Sequence, residues 1–396
     1  MKRILSKKTA EHVLTDNILD YWIKNMVDEK RGGFLGRIDG RENAHPLSNK
    51  AIILNTRILW TFSASYGVIK DENYKKVADR AYHYIVEHFV DTEQGGVYWM
   101  LDNKGSVVDS KKQIYAQAFA IYSLSEYCKI NKDSKALSLA IELFQLIEEK
   151  SFDFERNGYF EALDRSWNRI EDVRLSEKDM NATKTMNTHL HIMEAYANLY
   201  RVWPNEKLKN QLKNLIELLQ NKFLYQEGHY KLFFDDDWNL LSDEFSFGHD
   251  IEGAWLIRDA ANAIGEAFLI EKIDEVAIQM TEAALEGLDE DGGLMNEGNH
   301  SSLMDTDKHW WPQAEALVGL IDAWEMTGKD EYLKLADKIW DFIQEHIIDP
   351  KGEWYWRVSR AGARNLSEDK AGPWKCPYHN GRAMIEMIKR HPEKIK

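Results

Sequence analysis

One near-constant repeat limits what this chain can fold into. Six segments share a pattern: "RGGFLGRID", "QGGVYWMLD", "RNGYFEALD", "EGHYKLFFD", "DGGLMNEGN" and "KGEWYWRVS". In each, a glycine is followed by aromatic or β-prone residues. The glycines are Gly33, Gly96, Gly158, Gly228, Gly293 and Gly352, spaced by 63, 62, 70, 65 and 59 residues. A period of this length makes each unit a supersecondary element that buries its apolar face against its neighbours.

Each period has room for two helices. In "ENYKKVADRAYHYIVEHF" the residues Tyr74, Val77, Ala78, Ala81, Ile85 and Phe89 recur at helical spacing, after Asp71 as a helix cap. The same reading along the chain gives about twelve helices, over 9–29, 47–69, 72–90, 112–130, 134–150, 184–203, 205–224, 248–265, 270–287, 309–328, 330–347 and 376–390. One helix precedes the first glycine motif and one follows the last. These two half-units complete a sixth pair only if the chain closes on itself. An open array would need polar capping repeats, and no such pair stands out. The expectation is all-α: a closed (α/α)6 barrel forming one domain over residues 1–396. Short β-like hairpin loops would lie at its mouth.

Composition narrows the function. The net charge of −15 argues against nucleic acid, because phosphate binding needs a basic surface. It also disfavours an anionic membrane. No stretch approaches the roughly 18 apolar residues of a membrane-spanning helix, and "MKRILSKKTAEHVL" lacks the apolar core of a secretory signal. Cys128 and Cys376 lie far apart and suggest neither a disulfide framework nor a zinc site. A cytoplasmic monomer acting on a small molecule is expected. The 14 tryptophans and 17 tyrosines are many; core packing must take most of them, and some suit stacking on sugar rings.

If the even-numbered helices form the inner ring, their first turns surround one mouth. Arg57, Tyr115, Asn187, His191, His249, Glu252, Trp310, Trp311 and His379 then converge there, with Trp374 just before the last helix and Glu297 in the loop "LMNEGN". In "NTHLHIMEAY", His189 and His191 are two residues apart, about 200° of helix rotation. Only one faces the cavity, and Asn187 shares the face of His191. The pair lacks the i,i+4 spacing of metal-chelating helix histidines, so no metal site is expected. His249 and Glu252, at i,i+3, suggest a carboxylate that fixes an imidazole tautomer. Arg57 lies in apolar "ILNTRILW", where a charge needs a partner or ligand. His12, His83, His88, His229, His300, His346 and His391 read as surface or structural residues.

The motifs "MNTHLHIMEAY", "FSFGHDIEGAWL", "HWWPQAEALVG" and "WKCPYHNGRA" resemble those of the cellobiose 2-epimerase family, within the N-acylglucosamine 2-epimerase superfamily. The resemblance spans essentially the full chain. It implies an (α/α)6 barrel without a metal or nucleotide cofactor, and His249 and His379 as the acid/base pair with His191 also essential. It further implies that Arg57, Tyr115, Asn187, Glu252, Glu297, Trp311 and Trp374 are substrate or support residues. The implied reaction is reversible epimerisation at C2 of the reducing-end sugar of a β-1,4-linked disaccharide such as cellobiose, mannobiose or lactose. The rival readings are a monosaccharide 2-epimerase or isomerase of the N-acylglucosamine or mannose type, an (α/α)6 glycoside hydrolase using Glu252 and Glu297, and a catalytically silent sugar-binding protein.

Overall fold

The computed structural model describes residues 5–132 and 134–390. Twelve helices alternate along these residues. The odd ones are α1 (7–26), α3 (72–89), α5 (Ser134–Lys150), α7 (206–223), α9 (267–287) and α11 (330–347). The even ones are α2 (Ile52–Ile69), α4 (Ile114–Asn131), α6 (Met186–Val202), α8 (Phe247–Ile264), α10 (Trp310–Thr327) and α12 (Tyr378–Lys389). Each even helix packs on the next even one, and α12 packs back on α2. Outside this ring, α1 lies on α12, α3 on α2, and the remaining odd helices on their even neighbours. The result is a closed (α/α)6 barrel with α1 and α12 adjacent.

The sequence explains which helices go inside. Inner helices touch protein all round: in α4, residues 114–125 are buried without interruption. They carry small and apolar residues on every face, as a fully buried helix must. Outer helices are amphipathic. In α3 the stripe Tyr74, Val77, Ala78, Ala81, Ile85 and Phe89 is buried, and Glu72, Asn73, Lys76 and Glu87 are exposed. Several outer helices end in one π-helical turn, at 85–89, 219–223 and 343–347.

Each glycine motif follows an outer helix and turns the chain back. A residue one or two places after each outer helix forms a β-bridge with the motif: Val27 with Phe34, Val90 with Val97, Phe152 with Tyr159, Leu224 with Tyr230, Leu288 with Leu294, and Ile348 with Trp354. Gly96 and Gly158 sit at φ of 76° and 87°. A Cβ there would also lie under 3 Å from Trp167 and Trp238 respectively, so conformation and space both require glycine.

The two residues before each inner helix pair with the following repeat. Residues 50–51 pair with 100–101, 112–113 with 162–163, 184–185 with 233–234, 245–246 with 297–298, and 308–309 with 357–358. Ile38 bridges Ala371 and completes the ring at the mouth. This pairing corrects four helix starts, expected at 47, 112, 184 and 309 but found at 52, 114, 186 and 310. Backbone groups there are claimed by the ladder before they can enter a helix.

Candidate active site

The first turns of the inner helices deliver the site. His249 starts α8 and His379 starts α12. Trp311 of α10 lies against both, with ring centroids 4.7 Å from His249 and 5.6 Å from His379. His191 of α6 packs edge-on to Tyr115 at 5.0 Å and against Phe119 at 4.8 Å. Tyr115 accepts a 2.6 Å hydrogen bond from Arg57 Nη2 and lies beside Trp374. A cavity of about 430 Å³ opens at the mouth, lined by Asn187, His249, Glu297, Glu161, Glu244 and Ser246 among others. Asn187, His249 and Glu297 therefore border it directly. Arg57, Tyr115, His191 and Trp374 form an adjoining packed cluster, and Trp311 and His379 stand next to His249.

Helix phasing separates the neighbouring histidines. His189 turns outward among Tyr159, Phe223 and Trp238. Its Nδ1–H donates to the Thr185 carbonyl at 2.6 Å, and its Nε2 accepts from the Tyr159 amide at 2.9 Å. Both nitrogens are committed to the fold. His191 turns inward, with Nδ1 on Glu194 at 2.8 Å.

Glu252 differs from expectation. Its helical spacing suggested that it would hold His249, but it receives Arg382 Nη2 at 2.5 Å and lies 3.8 Å from His379 Nδ1. Nδ1 of His249 is buried with no hydrogen-bond partner among the described residues. The reason is side-chain direction: α8 points Glu252 toward the barrel axis, where Arg382 offers a full positive charge, and His249 toward the cavity. His379 is held instead by Glu315, with Nδ1 2.7 Å from Oε1. Because an ionised carboxylate only accepts, Nδ1 of His379 and of His191 must carry the hydrogen, and in the neutral His379 ring Nε2 keeps its lone pair.

Burial pushes His249 down to about 3, with the neighbouring His191 adding to it. Burial, then the charges of Arg57 and Arg382, hold His379 well below the usual imidazole value. Both are neutral bases at neutral pH. Glu252 is pushed up to about 7 by burial and by Glu315 beside it. Glu297 also reaches about 7 through burial and the nearby Asp305 and Glu244. Burial alone would raise Glu194, but Arg382 and His191 bring it to about 2.

Glu252, Glu315 and His379 approach one another within 4.8 Å, close enough to share a cation. The Arg382 guanidinium is already bonded to both carboxylates there, at 2.5 and 2.7 Å, so the cation of this cluster is an arginine side chain.

Sequence reasoning missed Glu194, Glu315, Tyr378 and Arg382. The signal was the one that singled out Arg57: a lone charge in an apolar stretch, as in "QAEALVG" and "NGRAMIEM". His229 is structural as expected, buried against Asp250 at 2.6 Å and stacked on Phe245. His391 lies outside the described residues.

A barrel whose mouth gathers histidines, carboxylates that fix their tautomers and aromatic walls is built for proton transfer on a sugar; its class is carbohydrate epimerase, an isomerase. The comparisons agree. The family described as N-acylglucosamine 2-epimerase (GlcNAc 2-epimerase) matches residues 33–383, and the chain belongs to that family. It is 49% identical over 385 residues to a cellobiose 2-epimerase of Bacteroides fragilis, covering 96% of this chain and 98% of that one. It is 36% identical to the cellobiose 2-epimerase of Dictyoglomus turgidum, covering 98% and 99%. The solved cellobiose 2-epimerase of Bacillus thermoamylovorans B4167 superposes with a TM-score of 0.92 at 39% identity, covering 97% and 99%.

Proposed function

We propose that this enzyme interconverts cellobiose and glucosyl-mannose by epimerising C2 of the reducing-end sugar, with mannobiose and lactose as further substrates of the same type. The open-chain aldehyde acidifies the C2 proton. One of the pair His249 and His379, neutral, takes that proton and becomes the imidazolium, leaving a cis-enediolate; the other, carrying a proton drawn from solvent, delivers it to the opposite face and is left neutral. Reversal exchanges their roles. His191 completes the proton-handling set, its Nε2 free while Glu194 holds Nδ1. Arg57 and Asn187 stabilise the developing oxyanion. Arg57 suits this because, among the described residues, its buried guanidinium has Tyr115 and Cys376 as hydrogen-bond partners and no carboxylate. Trp311 and Trp374 hold the second sugar ring, and Tyr115 and Glu297 line the ends of the site. Glu252 supports His379 through Arg382 rather than His249.

The observation that carries this reading is the placement of two histidines from different helices against one tryptophan, His379 buried and His249 bordering the cavity. Among the described residues no helix is long and apolar enough to cross a membrane, and Cys128 and Cys376 are buried and form no disulfide. Incubation with cellobiose, mannobiose, lactose, N-acetylglucosamine and mannose, followed by chromatography, tests the assignment. Turnover confined to the disaccharides supports it; turnover of the monosaccharides alone replaces the substrate class.

A further inference from the structure

Two of the three histidines are joined, through their carboxylates, by one arginine. Arg382 is 1% exposed, on α12 one turn beyond His379. Its Nη1 donates to Glu194 and to the Tyr378 hydroxyl. Its Nη2 donates to Glu252 at 2.5 Å and to Glu315 at 2.7 Å. Glu194 also accepts His191 Nδ1–H at 2.8 Å and the Tyr378 hydroxyl at 2.5 Å. Glu315 also accepts His379 Nδ1–H at 2.7 Å and Trp255 Nε1–H at 3.0 Å. An unbroken run of charge-assisted hydrogen bonds thus joins His191, Glu194, Arg382, Glu315 and His379 across α6, α12 and α10. His249 is not on it.

Packing alone does not account for this cluster. Buried ion groups are often replaceable by apolar residues without loss of stability. What only a planar, permanently charged fork supplies is simultaneous ionisation of carboxylates on two sides. Burial and Glu315 already hold Glu252 up to about 7 with the arginine present; without it, Glu194 or Glu315 would take a proton as well. A protonated Glu194 or Glu315 could then donate to its histidine instead of accepting, which moves the imidazole hydrogen to Nε2 and removes the base.

We propose that Arg382 is a positioning residue that ties the tautomer and orientation of His191 to those of His379 through Glu194 and Glu315. The proposal rests on the epimerase reading above. Its test is Arg382→Lys in the full chain, labelled with ¹⁵N-histidine. In the sugar-free protein the Nδ1–H signals of both His191 and His379 should move, and the His249 ring signals should stay. With cellobiose, kcat should fall about tenfold or more, as when a tautomer-fixing partner is lost, with KM within about threefold. An arginine that only stabilises the barrel would lower the melting midpoint and leave signals and kcat unchanged, which overturns the proposal. So does a shift confined to one of the two linked histidines, or a rise in KM at constant kcat. If Arg382→Lys fails to fold, Glu194→Gln, Glu315→Gln and their double variant serve instead. Linkage predicts that their effects on kcat fall short of multiplying by about threefold or more; effects that multiply overturn it. The sugar-free spectra need no turnover. A wild-type protein inert toward cellobiose would therefore count against the epimerase reading and leave the linkage itself still measurable.

Discussion

At the scale of single residues, the account separates histidines that resemble one another in sequence. His249→Ala and His379→Ala should each lower kcat by roughly 10²–10⁴-fold, the usual contribution of a general acid or base, with a much smaller change in disaccharide affinity measured by calorimetry. His189→Ala should leave kcat near wild type and lower the melting temperature, because its two ring nitrogens serve the backbone of Thr185 and Tyr159. The pH dependence of stability follows from the same burial. Burial holds His189 down to about 3 in the folded state, below the ordinary imidazole value of 6.5, and His249 behaves alike. The unfolded chain therefore takes up these protons first. Stability is full above the ordinary value and is lost as the pH falls from there toward 3. Thermal melts between about pH 7 and about pH 4 should show that decline, and His189→Gln should make it shallower. The inward face of His191 was legible from the rotation between positions 189 and 191. The partner of Glu252 was not, because i,i+3 spacing places it on the face of His249 without saying which stronger charge waits across the barrel. Here Arg382, 130 residues from Glu252, wins that competition.

At the scale of elements, the repeat carries a second signature that the glycines alone did not reveal. A lysine just before an inner helix meets an aspartate at the end of the preceding outer helix. Lys50 pairs with Asp28, Lys112 with Asp91, Lys184 with Asp153, and Lys308 with Asp289 and Asp291. Lys370 makes the same kind of pair with Asp349. In the fourth unit the positions are Phe245 and Tyr225, and Phe245 stacks on His229 instead. Both members change together, as expected if a lone buried charge is too costly to keep. Lys184 and Asp153 are 2.7 Å apart and at most 4% exposed. Lys184→Ala should cost about 3–5 kcal/mol, the range for stranding one partner of a buried pair, measured by urea unfolding. Since Lys184 stands two residues before α6, which carries Asn187 and His191, activity should fall with it. Helix existence was legible because a stripe such as Tyr74 to Phe89 has one period; helix starts were not, because the strand pairs that cut them short join residues about fifty apart.

At the scale of the whole molecule, closure follows from counting. Six motifs with a half-unit at each end leave α1 without a partner unless it reaches α12, and it does. The buried face of α1, including Leu14, Ile18, Leu19, Trp22 and Met26, belongs to the core. A chain lacking residues 7–26 should therefore lose cooperative unfolding by calorimetry, whereas an open array would lose only one end unit. The charge cluster at the axis gives a further expectation. Arg382 supplies the cation among Glu252, Glu315 and His379, so turnover should survive exhaustive chelation; loss of activity that zinc restores would count against that. What closure accomplishes for function is to bring His191, His249 and His379, far apart along the chain, to one mouth. The central claim is proton transfer at C2 with the glycosidic bond untouched. Incubation of the enzyme with cellobiose in heavy water, followed by NMR of the products, tests it most directly. The account predicts glucosyl-mannose carrying deuterium at C2 and no free monosaccharide; release of glucose, or recovery of cellobiose alone, would contradict it.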